Sequence, residues 1–220
     1  MNGRVAEREA LLTRLEATGY LTDPRLEEAM LSVPRHAFLP DEVQAHAYED
    51  RPLSVGHGQT ISAPHMVALM TSHLQLEPDH RVLEIGTGLG YHAAVLSRMV
   101  PEGDVVSIEF VPELARVAQR NLDAVDAPVR VLRRDGALGA PEFAPFDALL
   151  ITCAVPTIPA PLIHQLREGG HVVVPIGVTQ CDLFAGRKVA GELHGDSLGE
   201  CLFVNAQGDL GDDQGLQPAP

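Results

Sequence analysis

Residues 82–90 read Val82-Leu83-Glu84-Ile85-Gly86-Thr87-Gly88-Leu89-Gly90, a short strand-like run that ends in three glycines spaced two apart. A helical pattern follows over 93–99. Strand, glycine turn and helix in immediate succession are the start of a βαβ unit. Outward from this stretch the same alternation continues. Apolar runs at 105–108, 129–132, 147–152 and 171–175 predict further strands. Helices are predicted over 66–76, 112–122 and 161–166, with Gly169-Gly170 opening the last strand. Strands that are apolar throughout, rather than alternately apolar, are buried on both faces. The predicted fold is therefore α/β, a doubly wound, mostly parallel sheet with helices on both faces and a helical N-terminal segment. In that segment Leu11, Leu12 and Leu15 share a helical face, and Asp23-Pro24 has the form of an N-cap followed by proline at the first helical position.

Ligands in open parallel sheets bind beyond the carboxyl ends of the strands. Three features lie at such ends. The glycine turn lets backbone approach a ligand closely. Glu109, 19 residues past Gly90, suits the hydroxyls of a ribose, and Asp135-Gly136 ends the next strand where a base would lie. A pyrophosphate turn normally reads G-x-G-x-x-G, whereas this one reads G-x-G-x-G with Glu84 just before it. A carboxylate there would oppose a pyrophosphate unless it lay behind the loop, and it suits a cationic sulfonium cofactor better. The spacing favours S-adenosylmethionine over NAD.

Composition excludes several classes. The chain has 220 residues with 16 Lys and Arg against 30 Asp and Glu, a net charge of −14. That balance argues against a nucleic-acid partner, whose phosphates are met by Lys and Arg. No long apolar run or secretory leader is visible, so neither a membrane span nor export is expected. Cys153, Cys181 and Cys201 form no C-x-x-C pair, which points away from a disulfide framework and towards a reducing cytoplasm. Seven of the 10 histidines fall between His36 and His92, none spaced i, i+4, so no metal site is expected.

Residues 48–64, YEDRPLSVGHGQTISAP, show no sustained period and read as a long ordered loop of the functional kind. Ser62 within it could cap the helix beginning near Pro64 or act on a ligand.

At this point the sequence resembles a known family. LEIGTGLGYHAAVLSRMV (83–100) is similar to the cofactor motif of class I methyltransferases. VPRHAFLP (33–40), AYEDRPLSVGHGQTISAPHMVALM (47–70) and FDALLITCAVPTIPAPLIHQLREGGHVVVPIG (146–177) resemble the protein-L-isoaspartate O-methyltransferases in particular. The resemblance implies methylation of the free carboxylate of L-isoaspartyl residues in damaged proteins, with S-adenosylmethionine as donor and a peptide as partner. It also implies a monomer, with an open groove for protein substrates. It makes Ser62 the catalytic serine and assigns Thr60 and Ser62 to the substrate. Gln59, Thr60, Ile61, Ser62, Glu84, Gly86, Thr87, Gly88, Gly90, Glu109, Asp135 and Gly136 fall to the cofactor. One domain over 1–208 is expected: a helical segment (1–47), an active-site loop (48–64), a cofactor core (65–177) and divergent C-terminal strands (178–208). Residues 209–220 are expected to be a flexible acidic tail.

The chain departs from the family pattern at Leu89, where a serine is usual, and at 152–156, TCAVP, where alanines are usual. It departs again at 201–206, CLFVNA, where Leu202 and Asn205 replace a polar residue and a proline. Two other readings stay open on the residues alone: a methyltransferase for another peptide carboxylate, and a cofactor-binding module without transfer activity.

Overall fold

The structure is a computed structural model, and it describes residues 4–211. Two helices, α1 (Val5–Ala17) and α2 (Pro24–Ser32), lead the chain. Asp23 accepts the N–H of Arg25 at 2.8 Å and Pro24 opens α2, the cap that the sequence predicts. A 3-10 turn (Arg35–Phe38) and α3 (Asp41–Gln44) precede a hairpin of β1 (Leu53–Gly56) and β2 (Gln59–Ile61). Next come α4 (Pro64–His73), β3 (Arg81–Ile85), α5 (Tyr91–Met99), β4 (Asp104–Glu109), α6 (Pro112–Ala124), β5 (Val129–Arg133) and β6 (Phe146–Ile151). The chain continues through α7 (Ala160–Gln165), β7 (Leu166–Gly177), β8 (Cys181–Val189) and β9 (Glu192–Cys201).

The main sheet has the order β5-β4-β3-β6-β7-β8-β9. Its first five strands in that order are parallel, and β8 and β9 add an antiparallel edge. From β3 the chain winds outward to β4 and β5, then returns to place β6 on the other side of β3. The reversal leaves a crevice between the carboxyl ends of β3 and β6.

Side-chain alternation divides the core. Val82 faces the layer of α1, α2, α4, α5 and α6, with Leu11, Leu26, Val67, Leu96 and Leu122. Leu83 and Ile85 face the opposite way and pack with Phe146 and with Leu162 of α7. This second face is covered by less helix than the first.

Three expectations need correction. Residues 48–64 are not loop throughout, because Leu53 pairs with Ile61 and Ser54 with Thr60 in an antiparallel hairpin. The fifth sheet strand begins at Leu166, so Gly169-Gly170 lies inside it rather than opening it. Asp209 to Gly211 are ordered: Gly208–Leu210 form a 3-10 turn and Leu210 is buried. The rest of the expected tail, 212–220, lies outside the described residues.

Candidate active site

Gly86 and Thr152 follow β3 and β6 and meet across the crevice. Thr152 N–H donates to Ile85 O at 2.9 Å and its hydroxyl to Gly86 O at 2.6 Å. Gly86 has φ +100, and a Cβ there would stand 2.3 Å from Thr152 Oγ1, so only glycine fits. Gly88 and Gly90 also have positive φ, and the loop turns tightly into α5. Above it opens a cleft.

Nine of the predicted residues line this cleft: Gln59, Thr60, Ile61, Ser62, Gly86, Thr87, Gly88, Glu109 and Gly136. Glu109 ends β4 beside the loop, where Oε2 accepts Gly88 N–H at 2.7 Å and Oε1 accepts Val111 N–H at 2.9 Å. Burial raises its pKa, opposed by those backbone N–H groups. Each carboxylate oxygen keeps a lone pair for a further donor, which is what a vicinal diol requires.

Glu84, Gly90 and Asp135 do not line the cleft. Glu84 is 0% exposed and lies behind the loop, on the α5 and α6 side of β3. Its strand partner Ser107 donates its hydroxyl to Glu84 Oε2, and Thr87 donates in turn to Ser107. Burial pushes Glu84 up to about 8, with the Ser107 bond lowering it and the charge of Glu109 raising it. Glu84 is therefore an uncharged support of the glycine loop near neutral pH, which overturns the idea that it faces a cationic cofactor. Gly90 packs against Leu122 as the left-handed N-cap of α5. Asp135 accepts Ala137 N–H at 2.9 Å on Oδ1 and Asp209 N–H at 2.7 Å on Oδ2.

Two segments outside the core of the sheet wall the cleft. The hairpin brings in residues 59–62. Ser62 stands half-buried at the start of α4 without capping it: the N-cap is Ala63, and no side chain caps that helix. The helix-capping alternative for Ser62 falls away. From the other end of the chain, Val204 to Gln207 and Leu210 return to the cleft. Ala154 N–H donates to Val204 O and Ala206 N–H to Ala154 O, both at 2.8 Å. Asn205 thus lies in the wall, whereas Leu202 is 88% exposed and outside it.

Sequence reasoning left out Val67, Phe110, Val111, Tyr91, His92 and Leu210, all in the wall. Phe110 and Val111 directly follow Glu109, so the position of that acid was a usable signal. For Leu210 there was none. Cys153 also lines the cleft, but burial, and then Glu109, pushes its thiol up to about 12, so it is no nucleophile. Among the described residues no helix is long and apolar enough to cross a membrane.

The chain matches the protein-L-isoaspartate(D-aspartate) O-methyltransferase family over residues 6–211. It is 46% identical over 209 residues to the protein-L-isoaspartate O-methyltransferase of Methanopyrus kandleri, covering 93% of this chain and 92% of that one. Identity to the enzyme of that name from Hyperthermus butylicus is 45% over 216 residues, covering 93% and 90%. A solved structure named protein-L-isoaspartate O-methyltransferase superposes with a TM-score of 0.87 at 36% identity, covering 93% of this chain and 67% of that one. A Plasmodium falciparum structure in complex with S-adenosyl-L-homocysteine gives 0.82 at 25% identity, covering 91% and 98%. A likeness that runs through the sheet and through both segments walling the cleft makes this chain a member of the protein-L-isoaspartate O-methyltransferase family.

Proposed function

We propose that the protein transfers a methyl group from S-adenosylmethionine to the free carboxylate of L-isoaspartyl residues in damaged proteins. The observation that carries this reading is the convergence of Ser62, uncommitted to helix capping, with the glycine loop and Glu109 in one cleft. The donor supplies an electrophilic methyl on a sulfonium. The residues present fit it: Gly86 to Gly88 offer close backbone, Glu109 offers acceptors for ribose hydroxyls, and Gly136 and Phe110 flank the place of the base.

A carboxylate with an ordinary pKa of about 4 is already ionised near neutrality, so attack needs no strong general base. What the chain must do is hold one carboxylate oxygen in line with the methyl group and keep water out. Ser62 and Thr60 donate hydrogen bonds that orient the acceptor without taking a proton from it. Gln59 and Ile61 close the hairpin side, and Asn205 and Leu210 close the other. The ester carries a better leaving group than the carboxylate, so the following backbone nitrogen attacks its carbonyl carbon, gives up its proton and expels methanol as the succinimide closes. Hydrolysis of that ring returns normal aspartate in part. This reading includes a monomer working in the cytoplasm without nucleic acid, which accords with the free Cys153, Cys181 and Cys201 and the net charge of −14.

Labelled S-adenosylmethionine with paired isoaspartyl and aspartyl peptides tests the assignment. Base-labile label on the isoaspartyl peptide alone is expected. Transfer to neither, with cofactor binding intact by calorimetry, would overturn it, and label on the aspartyl peptide alone would move the enzyme to another carboxylate.

A further inference from the structure

Among the described residues, no lysine or arginine lines the cleft, although the acceptor is an anion and the chain carries −14 overall. Directly behind the wall, however, stands a cation. Arg35, in the 3-10 turn after α2, is 0% exposed, and its Cζ lies 5.1 Å from the ring centroid of Tyr91. Tyr91 and its neighbour His92 are wall residues.

The Arg35 guanidinium touches no carboxylate among the described residues. Nε donates to Ala47 O at 3.0 Å, but Nη1 and Nη2 have no partner. Asp50, a carboxylate whose charge reaches Arg35, is engaged elsewhere: its Oδ1 accepts His65 N–H and meets His65 Nδ1, both at 2.9 Å. The other buried cations leave fewer N–H groups over, Arg8 only its Nε. Lys188 is held by Ile163 O and Leu166 O, and Arg8 reaches Leu31 O. The field of Arg35 is felt in the wall itself, where His92, lowered to about 3 chiefly by burial, is lowered further by that guanidinium. A buried and unpaired charge is costly to keep, and here it sits where the fold brings α2, α4 and α5 against the cleft.

We infer that Arg35 is a positioning residue for the acceptor: acting through the Tyr91–His92 wall, its unpaired guanidinium supplies the positive potential that draws a carboxylate into a cleft lacking a cation of its own. The inference rests on the acceptor class proposed above. It gives the site a direction. A carboxylate entering is favoured, the neutral ester formed from it is not, and a sulfonium is held less well than the neutral thioether left after transfer.

That last difference provides a readout that packing does not move. S-adenosylmethionine and S-adenosylhomocysteine share almost every contact and differ by one charge. Arg35→Met keeps the volume and removes the charge, a change that buried unpaired ions tolerate well. Expected for this variant is a rise of about five- to twentyfold in KM for the isoaspartyl peptide, with kcat little changed. Calorimetry should show the ratio of the two dissociation constants shifting towards S-adenosylmethionine, and Arg35→Lys should restore both. An unchanged ratio with an unchanged KM overturns the inference. So does parallel weakening of both nucleosides and the peptide in the Met and Lys variants alike, which would make Arg35 a packing residue. Wild-type protein that methylates neither peptide sinks the acceptor reading and this role with it, whereas an active wild type with indifferent variants sinks this role alone.

Discussion

The backbone N–H of Asp209 meets Oδ2 of Asp135 at 2.7 Å, a bond between residues 74 apart in sequence. It fastens the C-terminal turn to the carboxyl end of the sheet and presses Leu210 into the cleft wall. Gly208 is required in this turn: its φ is +70, and a Cβ would stand 2.1 Å from Asp135 Oδ2. Asp135→Ala and Gly208→Ala should each weaken cofactor binding about tenfold, the scale of one hydrogen bond to a charged group. Thermal stability should fall by only a few degrees, since the core is untouched. Calorimetric titration beside a melting curve checks the pair, and faster hydrogen exchange should be confined to residues 204–210.

Glu109→Gln tests the ribose acid with almost no change of shape. A carboxylate accepts from both Gly88 and Val111, whereas an amide has one acceptor and must turn its NH2 towards one of those donors. Losing one charge-assisted bond and the diol acceptor should cost cofactor affinity roughly tenfold to a hundredfold. Equal affinity in the variant would remove Glu109 from the cofactor site.

Ser62→Ala should lower turnover about tenfold while changing the cofactor dissociation constant less than about twofold. The hydroxyl does not cap α4, so stability should not move. Unchanged kcat would take Ser62 out of the reaction.

Glu84 makes stability fall as pH rises from about 4.5 to about 8. Its pKa rises on folding from 4.5 to about 8. Below the lower value both states are protonated and the neutral buried acid is tolerated. As pH climbs from there through about 8, the unfolded chain sheds a proton that the folded one retains, and stability falls. Glu84→Gln stays neutral, keeps an acceptor for Ser107, and should lose this dependence. In urea at pH 9 the variant should gain on the order of 2–4 kcal/mol over wild type relative to the difference at pH 4.5. Parallel pH profiles for the two proteins would show that Glu84 is ionised in the fold.

The stretch around Gly86 was legible because burial on both faces leaves an apolar run and a tight turn leaves glycines, and both marks are local. Glu109 was legible for the same reason, being the residue that ends an apolar strand. The hairpin was not: β1 has four residues and β2 three, too few for alternation to stand out. Glu84 was misjudged because its environment is set by register. Only the pairing of β3 with β4 puts Ser107 beside it. Asp135 was placed at the correct strand end, but its bond to Asp209 was not legible, because that N–H belongs to a polar stretch with one apolar residue, Leu210, and no period at all.

The closure of the cleft by residues 204–210 also has a meaning in time. A chain growing from its amino end completes α1 to α7 and all nine strands before Val204 is made. The sheet can therefore be assembled while the cleft still lacks one wall, and residues 204–210 turn a folded scaffold into a binding site. A transcript cut short by a few codons before that point would yield a protein with its strands intact and its cleft open, folded by every spectroscopic measure and poor at holding its donor.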